Sequence, residues 1–220
     1  ALPICMADGS NLAKEQVEEP NLPDAPVALS PASDDFDSDE LAQFYYSPRI
    51  MPQRFCDLTS RPGWLRMRGG ESITSLNKTS LLARKLTSVH ARVTTKLDFS
   101  PEAPKQSAGL ILYYDNLNYR LLCKYHSDTM GRDALLVISM ENGERTVFLD
   151  DRTGVDKGVP IFMRLCIDGR KAAFEWSYEG KAYRTIGPKF DLSKLSDEYC
   201  KYGEFTGTMV GLTCVDRVLH

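Results

Sequence analysis

Short strand-like runs follow one another from Asp34 to the end of the chain, and each is closed by Gly, Pro, Asn or Asp. Their spacing is roughly 8 to 12 residues, which is typical of a β-sandwich or β-barrel. β-branched and aromatic residues dominate these runs, and no window carries the i, i+3, i+4, i+7 apolar stripe of an amphipathic helix. The pattern therefore predicts an all-β fold, an antiparallel jelly-roll β-sandwich.

The clearest run is 89–99, in which the odd positions are mostly apolar and the even positions are polar or charged. This alternation predicts a strand with one buried and one wet side. The Asn142-Gly143 pair between two runs predicts a tight hairpin, so that consecutive strands form a meander. One turn of helix is predicted at 193–199. Further strands are predicted at 108–114, 119–125, 134–140, 146–149, 161–168, 172–177 and 182–186.

Residues 1–33 hold five of the twelve prolines and no aromatic residue. Such a segment cannot bury enough apolar surface to fold alone. It predicts an extended interdomain linker over 1–33, followed by one sandwich domain over 34–220. Residues 1–6 are too short for the apolar region of a signal peptide and lack a basic start, so the chain is interpreted as a piece of a longer gene product.

Composition excludes several classes of partner. Residues 1–40 carry ten acidic residues against one Lys, and the basic residues downstream are spread along the predicted strands rather than clustered. This distribution argues against a nucleic-acid partner. No apolar stretch approaches the ~20 residues that span a bilayer, so no membrane partner is predicted.

The six cysteines are scattered without a Cys-x-x-Cys pair or a Cys/His cluster, which argues against a zinc site. Cys123, Cys166 and Cys214 lie in apolar runs, where a thiol serves as a small core hydrophobe. Free thiols are therefore predicted, with three disulfides as the alternative.

No catalytic residues are predicted in this chain. A nucleophilic triad needs a suitably placed histidine, and the three histidines lie on a polar strand face (His90), at the start of a loop (His126) and at the last position (His220). Most carboxylates lie in turns or in the acidic tail, where none has the apolar surroundings that raise a pKa for acid catalysis.

Aromatic residues and acidic residues suggest two kinds of binding site. Tyr113, Tyr114, Tyr119 and Tyr202 lie in or beside predicted turns and are candidate exposed stacking platforms for a sugar ring. Trp64 and Trp176 are predicted to fill the core instead. The acidic run at 34–39 offers oxygen ligands for a structural calcium ion, although it lacks the pattern of an EF-hand.

Ordered blocks follow one another through the body of the chain: Asp34-Asp35-Phe36-Asp37 and the runs at 61–72, 80–84, 97–102, 107–110, 113–119, 191–199 and 205–212. Across about 180 residues these blocks resemble one known family, the C-terminal concanavalin A-like β-sandwich domain of glycoside hydrolase family 43 β-xylosidases. The tail, through Asp8-Gly9 and Glu18-Glu19-Pro20-Asn21, resembles the linker that precedes this domain in the family.

The resemblance implies an accessory role rather than a catalytic one. In that family a five-bladed propeller of the same polypeptide carries the catalytic acids of an inverting mechanism, which acts on xylosides or arabinosides. None of those acids falls in this chain. The implied partners are therefore that propeller and a xylo- or arabino-oligosaccharide, and no cofactor is required apart from structural calcium.

The resemblance also implies a role for one loop of the chain. The sandwich of the family sends an aromatic side chain from a Phe-Thr-Gly loop to the mouth of the catalytic pocket, and Phe205 is the matching position. The loop consists of Gly203, Glu204, Phe205, Thr206 and Gly207, and Glu204 stands where relatives commonly have a second aromatic residue. The alternative is that Phe205 packs at a domain interface.

The chain stops at His220, before the strand with which relatives usually finish. The sandwich is therefore expected to lack its last strand, which would leave an unpaired edge or an incomplete calcium site formed by Asp35 and Asp216. Two other functions remain open at this point. The chain could be an autonomous carbohydrate-binding module for xylan-like chains, or it could be hydrolytic through an unrecognised pair of acids.

Overall fold

A computed structural model describes residues 30–202 and 207–218 of the 220-residue chain. These residues contain two short 3₁₀ helices, Pro52–Arg54 and Leu192–Leu195, and thirteen strands. The strands are β1 (Cys56–Asp57), β2 (Arg66–Met67), β3 (Ser80–Lys85), β4 (His90–Leu97), β5 (Gln106–Asp115), β6 (Asn118–Ser127), β7 (Arg132–Glu141), β8 (Glu144–Val147), β9 (Thr153–Gly154), β10 (Ile161–Asp168), β11 (Lys171–Ser177), β12 (Arg184–Asp191) and β13 (Met209–Asp216).

The strands form two main sheets and a small β1–β2 pair. The larger sheet has seven strands in the order β3-β13-β5-β6-β7-β8, with β9 added on β7, and the smaller sheet has four in the order β12-β11-β10-β4. Every pair of named strands is antiparallel. The fold confirms the predicted all-β antiparallel sandwich.

The main core lies between the two sheets. On β10, Met163 and Leu165 are fully buried, while the alternate residues Phe162 and Arg164 are half-buried on the outer side. The larger sheet supplies Leu112, Leu122 and Val137 to the same cluster. Apolar side chains from both sheets therefore interdigitate as in an aligned sandwich.

The larger sheet is also apolar on its second face. Ile111 and Leu121 belong to a separate buried cluster, although their neighbours Leu112 and Leu122 belong to the core between the sheets. Successive side chains of a strand point to opposite faces. This explains why successive residues of β5, β6 and β7 are buried, whereas β4 alternates as predicted.

The predicted hairpin is confirmed. Glu141 of β7 pairs with Glu144 of β8, and the two residues between them, Asn142 and Gly143, have φ values of 47° and 88°. Two left-handed residues in succession are what a type I′ turn requires, and Asn-Gly is its preferred pair.

The other local predictions are confirmed with two corrections. The 161–168 run forms β10 with the predicted bounds, and the other predicted runs match strands to within a few residues except 182–186, because β12 begins at Arg184 and continues to Asp191. The helical turn predicted at 193–199 is instead the 3₁₀ helix Leu192–Leu195, because the Asp191 side chain accepts a hydrogen bond from the backbone N–H of Ser193 and starts the helix earlier. The predicted linker lies outside the described residues except for 30–33, and it stays a prediction.

The described cysteines are free thiols, as predicted. Burial raises the pKa of the Cys123 thiol to about 12, and burial followed by the charge of Asp216 raises that of Cys214 to about 11. Cys166 is only half-buried. In the described part of the chain, no helix is long and apolar enough to cross a membrane.

Candidate functional site

The loop that the sequence singles out lies almost wholly outside the described residues. Gly203, Glu204, Phe205 and Thr206 are not among them, so the role assigned to Phe205 stays a prediction. Gly207 is described, and its φ of 72° is in the left-handed region that favours glycine. The site is therefore built from the two segments that flank the loop.

The segment before the loop packs on the end of the sandwich. Leu195 of the second 3₁₀ helix is 2% exposed and Cys200 is 5% exposed, and both belong to the core between the sheets. The backbone N–H groups of Tyr199 and Cys200 both donate to the carbonyl of Ser196. The chain thus makes a tight turn on the core shortly before Gly203.

The segment after the loop is tied to the segment before it. The hydroxyl of Thr208 donates to the carbonyl of Leu195 at 2.6 Å. The carbonyl of Thr208 accepts from the backbone N–H of Leu86, just beyond β3, at 3.0 Å. The segments on either side of the loop are therefore hydrogen-bonded to each other and to the sandwich. We refer to these segments, residues 194–201 and Thr208, as the base of the loop.

A buried arginine is connected to the base of the loop through Glu141. Arg120 on β6 has a side chain that is only 2% exposed. Its Nη1 donates to the carbonyls of Tyr119 and Met140 at 3.0 and 2.6 Å, and its Nη2 donates to Oε2 of Glu141 at 2.8 Å. A buried guanidinium of this kind needs such partners, because an unpaired buried charge is strongly unfavourable.

Glu141, at the end of β7, joins Arg120 to the segment before the loop. Its second oxygen, Oε1, accepts from Nζ of Lys194 at 2.7 Å and from the hydroxyl of Tyr199 at 2.5 Å. Burial raises the pKa of the Glu141 carboxyl, but the hydrogen bonds from Lys194 and Tyr199 and the charge of Arg120 outweigh it and leave the pKa below its ordinary value. We refer to Arg120, Glu141, Lys194 and Tyr199 as the Arg120–Glu141 network.

The hairpin turn beside Glu141 makes a further hydrogen bond to the segment before the loop. The side-chain oxygen of Asn142 accepts from the backbone N–H of Lys201 at 2.9 Å, and the backbone N–H of Asn142 donates to the side chain of Asn118 at 2.8 Å. The hydroxyl of Tyr114 donates to Asp197. The segment 194–201 is thus held at several points along its length.

Sequence analysis missed this network because its members are far apart in the chain. A signal was present, since Arg120 interrupts an apolar run that was predicted as a strand. Arginine is almost never fully buried unless it is paired, so a partner was to be expected.

The aromatic predictions need correction. Tyr113, Tyr114 and Tyr119 are 9%, 3% and 4% exposed, so they are buried residues and cannot form an exposed stacking platform. Their strands extend up to the turn, and proximity to a turn therefore did not mean exposure. Tyr202 is 57% exposed, as predicted.

The two tryptophans that were predicted to fill the core differ in their burial. Trp176 is 3% exposed in the core, which confirms its prediction. Trp64 is only half-buried, so its assignment to the core was wrong, and the Arg61 guanidinium lies 3.9 Å from the centre of its ring. One face of Trp64 is therefore covered by Arg61 rather than open to a sugar ring.

Trp64 lines a groove of about 900 Å³ beside β4. Other lining residues include Asp35, residues 94–97 of β4, and Leu212. Among the described strands β4 pairs only with β10, so its second edge is unpaired. An unpaired edge is what a missing last strand would leave, and that missing strand stays a prediction.

Asp35 and Asp216 are the two residues predicted to bind structural calcium. Both carboxylate oxygens of Asp216 accept hydrogen bonds, one from the Gln106 amide at 3.1 Å and the other from the backbone N–H of Val218 at 3.0 Å. Asp35 is exposed at the groove, and Asp216 is not among the groove's lining residues. Within 30–202 and 207–218, no three His, Cys, Asp or Glu side chains form a group that could hold a metal ion. The described residues alone do not provide a ligand set at Asp35 and Asp216, and structural calcium stays a prediction.

The described carboxylates with a displaced pKa do not have the property of a general acid. Each described Asp or Glu whose pKa is displaced is displaced downward: hydrogen bonds from Thr59 and Ser60 lower that of Asp57, and those from Ser193 and Arg170 lower that of Asp191. A general acid for glycosidic cleavage needs a pKa shifted upward. What the described geometry does offer is a set of hydrogen bonds that connects the segments on either side of the loop to the sandwich.

Comparison with known proteins gives one family. The model of the β-xylosidase C-terminal concanavalin A-like domain matches residues 33–218. A β-xylosidase of Bacillus subtilis is 30% identical over 205 residues, which cover 91% of this chain and 38% of that protein. A xylan 1,3-β-xylosidase of a Vibrio species is 31% identical over 202 residues, which cover 91% of this chain and 37% of that protein.

Solved structures agree with the sequence match. The crystal structure of a xylan β-1,4-xylosidase from Bacillus halodurans gives a TM-score of 0.85 at 33% identity, covering 95% of this chain and 40% of that one. This chain spans about two fifths of the length of the curated relatives that it matches.

Proposed function

Because the chain belongs to the family of C-terminal concanavalin A-like domains of β-xylosidases, we propose that it is an accessory domain of a glycoside hydrolase. It packs on a catalytic domain of the same polypeptide and helps to close the active-site pocket of that domain. The catalytic domain is the five-bladed propeller that the family resemblance implies. The chain itself carries no catalytic residue.

The substrate of the whole protein is a xylo- or arabino-oligosaccharide. The supporting fact is that relatives matching most of this chain are called β-xylosidase, xylan 1,3-β-xylosidase and non-reducing end α-L-arabinofuranosidase. This chain covers 38%, 37% and 35% of the length of those three proteins.

The observation that carries the proposal is the fixed base of the loop. Lys194, Tyr199 and Lys201 are hydrogen-bonded to Glu141 and Asn142 of the sandwich, and Thr208 is hydrogen-bonded to Leu195, so the segments on either side of the loop are connected to the sandwich and to each other. In the proposed role, Phe205 lies between these two segments in the chain and contacts the neighbouring catalytic domain. An aromatic wall at a shallow pocket excludes water and favours short substrates.

The carbohydrate-binding alternative loses its support. It required a row of exposed aromatic side chains, but three of the four tyrosines in question are buried and one face of Trp64 is covered by Arg61. Of the four predicted tyrosines only Tyr202 is exposed, so they do not form the row of aromatic side chains that this alternative required.

Replacing Phe205 by alanine in the full-length protein is expected to lower kcat/KM for a chromogenic xyloside by about tenfold, equivalent to ~1.4 kcal/mol of transition-state stabilisation. The apolar wall is lost while the catalytic acids stay in place. Steady-state kinetics with the purified protein measures the effect.

Tyr202→Ala is the matched control, because Tyr202 is an exposed aromatic residue next to the same loop. Its kcat/KM should stay within about twofold of the parent, since its side chain is assigned no contact with the pocket. If Phe205→Ala were as active as the parent, Phe205 would be a packing residue and the pocket-wall role would be excluded.

A further inference from the structure

We propose that an exposed segment before β3 is the surface on which the catalytic domain of the same polypeptide docks. We refer to Tyr46, Pro48, Arg49 and Met51 as the docking patch. This inference rests on the proposed function, and it names the contact surface and the chemistry of its partner. The partner surface carries an apolar side chain that enters a pocket beside Tyr46 and a carboxylate that faces Arg49.

The composition of this segment is that of an interface. Residues 41–56 include no Asp, Glu, Lys or His, although charged residues make up 26% of the whole chain. Protein interfaces are depleted in Lys, Glu and Asp and enriched in aromatic residues, Met and Arg. Met51 is 65% exposed and Tyr46 is 46% exposed. Exposed apolar side chains grouped in one short segment indicate a contact surface.

The docking patch is held in a defined conformation. The backbone N–H of Tyr46 donates to the carbonyl of Ala83 on β3 at 2.7 Å, and the backbone N–H of Ala83 donates to the carbonyl of Tyr46 at 2.9 Å. The backbone N–H of Ile50 donates to the carbonyl of Pro48 at 2.8 Å, and Arg49 between them has a φ of 64°. A non-glycine residue rarely adopts this left-handed conformation, and such residues cluster at binding sites. A surface that is ordered in advance loses little conformational entropy when it binds.

A pocket of about 300 Å³ lies between the docking patch and the second face of the larger sheet. Leu81 and Ala83 of β3 and Met209 of β13 line it with apolar atoms. Ser47 also lines it, and its hydroxyl oxygen is buried without a hydrogen-bond partner among the described residues. A buried hydroxyl without a partner is unfavourable, and binding can supply that partner. The pocket therefore fits one apolar anchor side chain, with a polar group of the partner beside Ser47.

The charge of the segment decides between two partners. Arg49 and Arg54 are both exposed, and no acidic residue of the segment accompanies them. In a symmetric contact between two copies, the same patch would face itself and bring these arginines together, which is unfavourable. A catalytic domain with a carboxylate opposite Arg49 has the complementary charge. The pocket also adjoins the base of the loop, because its lining residue Met209 follows Thr208 directly.

Methionine oxidation in the full-length protein tests the docking patch. Met51 and Met130 are both exposed in this chain, and Met51 is the more exposed of the two, at 65% against 37%. Met130 lies on the turn between β6 and β7 and is the matched internal control. If the catalytic domain covers the patch, hydrogen peroxide will oxidise Met51 about fivefold more slowly than Met130, as measured by mass spectrometry of the peptides. Oxidation of Met51 as fast as that of Met130, or faster, would overturn the inference.

Arg49→Glu tests the charge of the partner surface. The substitution places two carboxylates face to face, so Met51 oxidation in the full-length protein should become about threefold faster. Lys157→Glu is the matched control, because it reverses an exposed cation on the connection between β9 and β10 that belongs to neither the patch nor its pocket. The control should leave Met51 oxidation unchanged. Equal rates of Met51 oxidation in the two variants would contradict a carboxylate opposite Arg49.

Three further outcomes separate this inference from its rivals and from the proposed function. Protection of Met51 that disappears on dilution, together with a dimer in analytical ultracentrifugation, would assign the patch to a second copy and overturn the inference. If Phe205→Ala lowers kcat/KM while Met51 stays reactive, the catalytic domain contacts another surface, and the inference fails while the proposed function stands. If Met51 is protected while Phe205→Ala has no effect, the domains pack as inferred and only the pocket-wall role fails.

Discussion

Replacement of Asp133 by alanine is expected to lower the free energy of unfolding by about 3–5 kcal/mol. Asp133 on β7 is 1% exposed, and its Oδ2 lies 3.4 Å from Nζ of Lys124, whose side chain is fully buried. Its other oxygen lies 3.5 Å from Nδ1 of His126. Without the carboxylate, Nζ of Lys124 is left in the interior without its acidic partner, and this accounts for the large expected loss.

Urea denaturation measures the loss, and Asp156→Ala is the control. Asp156 pairs with Arg132 at 2.9 Å, but both side chains are about half exposed or more, so its loss should cost no more than about 1 kcal/mol. Replacing both members of the buried pair, with Lys124→Met and Asp133→Leu, should recover much of the stability because no charge is then left unpaired. Equal losses for Asp133→Ala and Asp156→Ala would contradict this account of the pair.

Replacement of Phe174 by alanine is expected to cost about 3–5 kcal/mol as well. Phe174 on β11 is fully buried between the sheets, and its ring lies 6.2 Å from that of Phe190 in an edge-to-face arrangement. Its removal takes away the transfer free energy of the ring and leaves a cavity in a core that two rigid sheets prevent from collapsing.

Phe162→Ala is the matched control for Phe174, because Phe162 is on the outer face of the same sheet and is only half-buried. Its loss should be clearly smaller, since solvent and flexible side chains can fill the space. If the two substitutions lowered the free energy of unfolding equally in urea titrations, the assignment of inner and outer faces in the smaller sheet would be wrong.

Local features of the fold were predictable because they depend on neighbouring residues. The β7–β8 hairpin follows from Asn142-Gly143, and β4 follows from its own alternation. The sheet order does not follow from such signals. β13 lies between β3 and β5, and the residues that it pairs with are about 100 to 130 positions earlier in the chain, so the pairing depends on global packing.

The candidate site was predictable only through the family resemblance, which singled out Phe205. The Arg120–Glu141 network forms across strands and turns that are distant in sequence, and periodicity contains no information on such contacts. The tyrosine errors have a related cause. Whether Tyr119 faces solvent depends on the second apolar face of the larger sheet, and a single strand's pattern does not reveal what packs against that face.

The most direct test of the central claim is to express this chain and the catalytic domain of the full-length protein separately and to measure hydrolysis of a chromogenic xyloside. We expect no turnover by this chain alone, a low kcat/KM for the catalytic domain alone, and a higher kcat/KM when the two are mixed. Turnover by this chain alone, or a catalytic domain whose kcat/KM does not respond to it, would contradict the account.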